Sequence, residues 1–389
     1  MIVESNRNAF KAPIRILHMI GSFEVGGSQA LVINLYKSID RERVQFDFIV
    51  DHPERMELAS EVQALGARIY FMPKFVGWNI FEIKKAWENF FSQHTEYGVL
   101  HSHVRSYASL YIPIAKKHGL KTVIHSHSTS NGQGISAIVK RVMQYPLRYQ
   151  ADYLMACSSE SGRWLYGKKA CEKDNYVFLP NAIDIEKYRY SKEVDDKYRK
   201  TFGLEEKFII GHVGRFHKAK NHMFLLDVFA IIHKKCPDAV LLLVGDGDLR
   251  SDVVNRIKEL NLENQVILTG NRNDVHLLMQ MMNVFAFPSI WEGLPVTVIE
   301  AQAAGLPCVI SDSVTNDVVV SDLVVRLTID DPMIWADKLL DLPFQKKDVT
   351  TQISESGFDV KDVSNRLMSF YEKILKEKQP QEYVSKSKV

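Results

Sequence analysis

Glu292 and Glu300 bracket the segment Glu292-Gly-Leu-Pro-Val-Thr-Val-Ile-Glu300, and two cations, Arg215 and Lys220, stand upstream in Val213-Gly-Arg-Phe-His-Lys-Ala-Lys220. Together these residue types suit a clamp for the diphosphate of a sugar nucleotide. The acidic segment leaves the apolar run Val284-Phe-Ala-Phe-Pro288 and turns at Gly293. It then puts Pro295 where a helix can begin, because proline is pre-shaped for the first helical position. Leu294, Pro295, Val296 and Thr297 make up that start, where unpaired N–H groups and the helix dipole attract phosphate oxygens. Arg215 and Lys220 add charge that can hold a diphosphate without metal. Glu300 follows Pro295 by about one and a half turns at 3.6 residues per turn, within reach of a ribose hydroxyl, and Glu292 sits in the mouth of the site.

Other segments carry chemistry more ambiguously. In Ile20-Gly-Ser-Phe-Glu-Val-Gly-Gly-Ser-Gln29 a strand runs into a loop holding Gly26 and Gly27 and then into a helix. Glycines there let the backbone approach a ligand closely, although a plain tight turn explains them as well. The spacing of Gly21, Gly26 and Gly27 does not match the dinucleotide fingerprint. His101-Ser-His103 and His125-Ser-His127 end apolar strands, the usual place of ligand-contacting residues in open α/β sheets. His-x-His on a strand puts both rings on one face and raises a zinc reading, which is set aside because no acidic ligand accompanies the four. At least two of them are expected to be structural histidines bonded to the backbone. Gly245-Asp-Gly-Asp248 contains an Asp-x-Asp, but its place between an apolar strand and a helix suits a turn and an N-cap. Asn181 and Asp184 read the same way. Ser158 and Ser159 lack the Gly-x-Ser-x-Gly elbow of a nucleophile.

The elements that must position these residues alternate along the chain. Its 389 residues exceed the size at which one core stops growing, so two domains are expected. Strands are predicted near 14–20, 46–50, 68–72, 99–101, 122–127 and 153–156, and again near 208–213, 239–244, 265–268, 284–287 and 308–310, with helices such as 30–39, 223–234 and 296–304 between them. This is the pattern of two doubly wound parallel sheets in series. The junction is expected in the polar stretch after Asp184, which a charged helix could equally occupy. Leu367, Phe370, Tyr371 and Leu375 give a closing helix its apolar spacing, and the last residues read as a polar tail. The domains are therefore drawn at 1–190, 191–360, a helix at 361–377 and a tail at 378–389.

A composition of 46% apolar and 25% charged residues is that of an ordinary soluble globular protein. The net charge of +2 hides an uneven distribution, since Leu100 to Ala170 holds ten Lys or Arg against Asp152 and Glu160 alone. That stretch is either a solvated surface or a face for lipid headgroups or lipid diphosphates; no nucleic-acid motif accompanies it. Cys157, Cys171, Cys236 and Cys308 show no Cys-x-x-Cys spacing, which points to a reduced cytoplasmic protein. No apolar run approaches the roughly 18 residues of a membrane span, so any contact with the inner face of the cell membrane is peripheral.

Taken in order, these motifs resemble a retaining glycosyltransferase of family 4 with the GT-B fold, over about residues 14 to 375. The specific part is the Glu292–Glu300 spacing joined to Val-Gly-Arg215 and Lys220, with Gly26-Gly27, Pro180-Asn-Ala-Ile-Asp184 and Gly245-Asp-Gly247 in support. Ile210 to His222, Glu300 to Pro307 and Ile310 to Ser313 look most like bacterial exopolysaccharide and capsule enzymes of the EpsF type. The resemblance implies two Rossmann-like domains facing across a cleft, the first taking the acceptor and the second the nucleotide sugar, with the closing helix returning to the first. It implies that Arg215 and Lys220 bind the donor diphosphate with help from Leu294 to Thr297, and that Glu300 holds the ribose. Glu292 would contact the transferred sugar, His127 rather than His125 would orient it, and the Gly26-Gly27 loop would close over the phosphates. A hexose would pass from a donor, by family frequency a UDP-sugar, to a glycan or lipid-linked glycan, with no cofactor or metal. Ala182 stands where glycine is commoner, and Glu292-Gly293 lacks a phenylalanine-glycine insertion of many relatives; neither removes a charge the chemistry needs. An epimerase or phosphorylase on the same scaffold and a non-catalytic sugar-nucleotide-binding partner are the rival readings.

Overall fold

The computed structural model describes residues 12–24, 27–128 and 134–377. The chain forms two compact units, one of residues 1–179 with 363–389 and one of residues 180–362. The first is built on β1 (Ile14–Gly21), β2 (Val44–Val50), β3 (Ile69–Phe71), β4 (Val99–Ser102), β5 (Lys121–Ser126), β6 (Tyr153–Ala156) and β7 (Tyr176–Phe178). The second carries β8 (Phe208–Val213), β9 (Ala239–Val244), β10 (Val266–Leu268), β11 (Val284–Phe287), β12 (Cys308–Ser311) and β13 (Val324–Leu327). Their orders are β3-β2-β1-β4-β5-β6-β7 and β10-β9-β8-β11-β12-β13, with every pair parallel.

Each sheet reverses its winding once, between β1 and β4 and between β8 and β11. At such a switch point the neighbouring crossovers leave in opposite directions and open a crevice beyond the strand ends, where ligands bind. Helices cover both faces of a parallel sheet, so its central strands are apolar throughout rather than alternating. Ala239-Val-Leu-Leu-Leu-Val244 is buried at every position.

β7 and β13 are additions to the strands predicted from sequence. Both are edge strands, three and four residues long, and none of their residues is fully buried. The other two edge strands, β3 and β10, were predicted near 68–72 and 265–268, so an edge position alone does not hide a strand from the pattern. The polar stretch after Asp184 folds as two helices of the second unit, Ile185–Tyr188 and Lys192–Phe202.

The closing helix, Val360–Lys376, returns to the first unit. Val363, Leu367, Met368, Tyr371 and Ile374 are its buried stripe, at the spacing of one helical face. Phe370 and Leu375, taken from sequence as part of that stripe, are half-buried at its margin. The Tyr371 hydroxyl lies 2.6 Å from His101 Nδ1, and Arg43 pairs with Glu372 at 2.6 Å. The predicted polar tail, 378–389, lies outside the described residues. All four cysteines are unpaired, and no helix among the described residues is long and apolar enough to cross a membrane.

Candidate active site

The cations and acids singled out above leave the carboxyl ends of β8 and β11, the two strands at the switch point of the second sheet. Beyond β8 the chain passes through Gly214 and Arg215 and coils into a single 3₁₀ turn, Lys218–Lys220. Two hydrogen bonds fix this loop on the one that follows β9: Gly214 N–H donates to the Val244 carbonyl and Phe216 N–H to that of Asp246, each at 3.0 Å. The loops lie so close that only glycine fits between them. A Cβ on Gly245, which has φ +133°, would stand 2.2 Å from the Gly214 oxygen, and one on Gly247 would stand 2.9 Å from Arg215 Cγ. Arg215 thus lays its stem on Gly247 and reaches Asp248 at 3.1 Å, with both side chains mostly exposed. Asp246 fulfils the turn role, its Oδ1 accepting from Gly247 N–H at 2.8 Å. Asp248 is not a helix cap; the next helix, Arg250–Glu259, starts after Leu249 without a side-chain cap.

Lys220 folds back over Gly214, where a Cβ would meet its Cδ at 3.1 Å. Its ammonium sits 4.6 Å above the Phe287 ring and donates to Glu292 Oε1 at 2.7 Å. Both partners are largely shielded, with side-chain exposures of 18% and 14%. The loop from β11 is tied to the lysine turn through Ile290 N–H and the Ala219 carbonyl, 2.8 Å apart. It ends in the helix Val296–Ala303, with Pro295 at the N-cap, one residue earlier in the helix frame than the sequence implied. No side chain caps this start; Val298 N–H donates to the Pro295 carbonyl at 3.0 Å, which leaves the N–H groups of Val296 and Thr297 as the donors of the first turn. Thr297 Oγ1 is buried there with no hydrogen-bond partner.

Glu300 lies on the same helix and accepts a hydrogen bond from the Tyr188 hydroxyl at 2.7 Å. Burial raises its pKa above the usual carboxylate range, while the Tyr188 bond and the Lys187 charge pull it back down. Lys220 with Glu292, Arg215 with Asp248, and Glu300 with Tyr188 are therefore three polar pairs of the second unit, the first two on loops that follow β8, β9 and β11. The arrangement offers cations and N–H donors for an anion, beside carboxylates that can accept from sugar hydroxyls. Tyr188 and Phe287 were not singled out from sequence: each acts only through contact with a motif residue distant in the chain.

The remaining predicted residues belong to the first unit. Gly26 lies outside the described residues, and Gly27 opens the helix Gly27–Ser38. His125 is fully buried, whereas His127, just past the end of β5, is half-buried, with Nε2 2.7 Å from His103 Nδ1. For His101 and His103 the partners are side chains, Tyr371, His18 and His127. His18 was missed altogether, because a single histidine inside an apolar strand carries no spacing signal.

Comparison with known proteins gives this geometry its context. The profile "Glycosyltransferase Family 4" matches residues 25–187, and "Glycosyl transferases group 1" matches residues 194–343. The "Putative glycosyltransferase EpsF" of Bacillus subtilis (strain 168) is 31% identical over 92% of this chain and 96% of its own. This chain is a family 4 glycosyltransferase. The glycosyltransferase is also 23% identical to the "Capsular polysaccharide biosynthesis glycosyltransferase CapH" of Staphylococcus aureus, over 92% of this chain and 98% of the other. A 28% match covers 58% of it and 61% of the Escherichia coli "UDP-Gal:alpha-D-GlcNAc-diphosphoundecaprenol alpha-1,3-galactosyltransferase". Among solved structures, Anabaena Alr3699/HepE in complex with UDP-glucose superposes with a TM-score of 0.74 at 18% identity, covering 92% of this glycosyltransferase and 99% of HepE. That likeness establishes the GT-B fold, which the two doubly wound sheets display.

Proposed function

We propose that this glycosyltransferase moves a hexose-type sugar from a nucleotide-diphosphate donor of the UDP-sugar class to a growing lipid-linked exopolysaccharide or capsule glycan, with retention at the anomeric carbon. The observation that carries the reading is the shielded Lys220–Glu292 pair at a switch point, on the loop that ends in the uncapped helix start. As the bond from sugar C1 to the diphosphate breaks, negative charge gathers on the phosphate oxygens. Lys220, Arg215 and the N–H groups near Val296 and Thr297 act on that charge, which is greater in the transition state than in the ground state. The acceptor hydroxyl attacks C1 from the face the diphosphate leaves and gives its proton to a phosphate oxygen, so no protein nucleophile or metal is needed. Glu292 contacts the sugar and Glu300 accepts from the ribose hydroxyls. The roles of His127 for the sugar and of Gly26 and Gly27 for the phosphates rest on the family resemblance alone.

The choice of UDP and of a lipid-linked acceptor is supported by the named activity of the Escherichia coli relative, and the glycan class by EpsF and CapH. Incubation with a panel of UDP-sugars and an acceptor on a lipid diphosphate, with the product linkage read by NMR, tests the whole reading. A covalent glycosyl adduct on Glu292 or an inverted anomer would eliminate the retaining mechanism. Donor binding without turnover would indicate the non-catalytic alternative, and donor conversion without an acceptor the epimerase.

Tyr188→Phe probes the ribose contact. The hydroxyl holds the Glu300 pKa down, so its removal lets that pKa rise further. Ribose recognition needs the ionised carboxylate and is lost as pH falls through the folded-state pKa. The acid limb of kcat/KM for the donor therefore moves to higher pH, and donor KM rises by about three- to tenfold, the worth of one ordinary hydrogen bond. A pH–rate profile identical to that of the unaltered enzyme would place the ribose elsewhere.

The helix Ile135–Gln144 supports work at the inner face of the membrane. It exposes Ile135, Ile138, Val139 and Val142, one i, i+3, i+4, i+7 face, and Tyr145 and Tyr149 extend that exposed apolar surface. Lys140 and Arg141 are exposed on the same helix. An apolar face flanked by cations is the composition of a helix lying in a bilayer interface rich in anionic lipid. Each basic residue near such a surface contributes about 1 kcal/mol, so Lys140→Glu with Arg141→Glu lowers co-sedimentation with anionic vesicles by tenfold or more. Unaltered co-sedimentation would exclude this helix as the contact.

A further inference from the structure

Five histidines gather on one face of the first sheet, and the transfer chemistry uses at most one of them. His18 on β1 is in register with His101 on β4, and His103 and His127 follow the ends of β4 and β5, two residues beyond His101 and His125. Residues two apart on a strand share a face, so the rings stack as an array. Ring centroids are 5.0 Å apart for His18 and His101, 4.5 Å for His101 and His103, and 5.4 Å for His18 and His103. His18 Nδ1 lies 3.1 Å from His103 Nε2.

Several of these nitrogens are orphaned, including both of His125. Nε2 of His18 and Nε2 of His101 are buried without a hydrogen-bond partner. A buried polar atom without a partner is rare and costly, so these nitrogens ask for a ligand. Burial also keeps the rings neutral, holding the pKa of His18 down at about 3 and those of His101 and His103 well below the ordinary histidine value. A neutral imidazole has a free lone pair on one nitrogen, which is its metal-binding form.

We propose that His18, His101 and His103 bind one divalent transition-metal ion of the zinc class inside the first unit. One nitrogen from each ring already lies within 4.8 Å of the other two. Ligands about 2.0–2.1 Å from a tetrahedral ion stand roughly 3.3 Å apart, so the triad closes by at most about 1.5 Å. The His18–His103 edge is at that spacing when His18 binds through Nδ1, 3.1 Å from His103 Nε2, in place of its orphaned Nε2. Three imidazoles and no thiolate suit Zn²⁺, Ni²⁺, Co²⁺ or Cu²⁺ over Mg²⁺ or Ca²⁺, and leave a fourth position for water. The Tyr371 hydroxyl, 2.6 Å from His101 Nδ1, sets the tautomer: with Nδ1–H donating to Tyr371, the Nε2 lone pair of His101 points to the ion. The closing helix thus becomes the outer support of the site, and the ion cross-links β1, β4 and that helix. His103, His125 and His127 form a second triad of similar span, but it shares His103 and takes the residue assigned to the sugar. The choice between the two triads rests on that proposed role of His127, whereas metal binding by the histidine array does not.

The test uses the untagged full-length chain, stripped with chelator and titrated with Co²⁺ while the visible d–d band is followed. One equivalent should bind and be displaced by Zn²⁺, and Zn²⁺ should raise the melting temperature of the stripped protein. His18→Asn and His101→Gln should each weaken binding at least a hundredfold, and Tyr371→Phe by about ten- to a hundredfold, the usual loss for an outer partner. A zinc-edge anomalous difference map of the unaltered protein locates the ion even if a histidine variant fails to fold. Absence of a Co²⁺ band, binding that survives His18→Asn, or anomalous density beside His125 and His127 instead would overturn the assignment.

Discussion

Lys220→Ala lowers kcat/KM for sugar transfer by about ten- to a hundredfold, the range set by losing one charge-assisted hydrogen bond of roughly 1.5–3 kcal/mol. The fall appears in kcat more than in donor KM, because in the proposed reaction the ammonium faces charge that develops as the leaving group departs. Lys220→Arg does not restore the rate. The lysine stem lies on Gly214 and its head above Phe287, a slot fitted to a compact ammonium and not to a planar guanidinium. Glu292 is the ligand-free partner of Lys220, so the double variant Lys220→Ala with Glu292→Gln costs less than the two single losses combined. Arg215→Ala falls in the same range as Lys220→Ala. Steady-state kinetics with the preferred UDP-sugar decides the matter: a Lys220→Ala enzyme with undiminished kcat would put the leaving group in another crevice.

Gly245→Ala damages donor binding without touching a charged group. The new methyl would collide with the Gly214 carbonyl oxygen, 2.2 Å away, on a backbone at φ +133° that L-residues rarely adopt. Relief requires the loop carrying Arg215 to move, since its hydrogen bonds to Val244 and Asp246 fix it to this glycine loop. Strain of about 1–3 kcal/mol lowers Tm by roughly 2–4 °C per kcal/mol in a unit of this size. Donor KM rises at least as far as in Arg215→Ala, and UDP gives less thermal protection than it gives the unaltered enzyme. A thermal melt with and without UDP measures both effects. Normal values in both would mean that the loops have room for a side chain.

The central strands were legible in the sequence because burial on both faces leaves unbroken apolar runs, as in Ala239–Val244. Of the four edge strands, β3 and β10 were legible and β7 and β13 were not, although all four are largely half-exposed. Lys220 and Glu292, 72 positions apart, were picked out separately by motif, and only the strand order β8-β11 makes them neighbours. Tyr188 has no motif; its role arises from a short helix that packs beside Glu300. The Asp-x-Asp was half legible. Asp246 does the work of a turn residue, but Asp248 turns to Arg215 in place of capping a helix, a choice set by the neighbouring loop and not by local sequence.

The return of the last helix to the first unit has a consequence for synthesis on the ribosome. The first sheet is fully translated by Phe178, yet Tyr371, which closes over His101 beside His18 and Phe46, emerges only after the whole 180–362 segment. At about 5–20 residues per second that interval is roughly 10–40 s, during which β1, β2 and β4 carry an uncovered apolar flank. Nascent chains stalled before Val363 are thus the form most exposed to chaperones and to self-association.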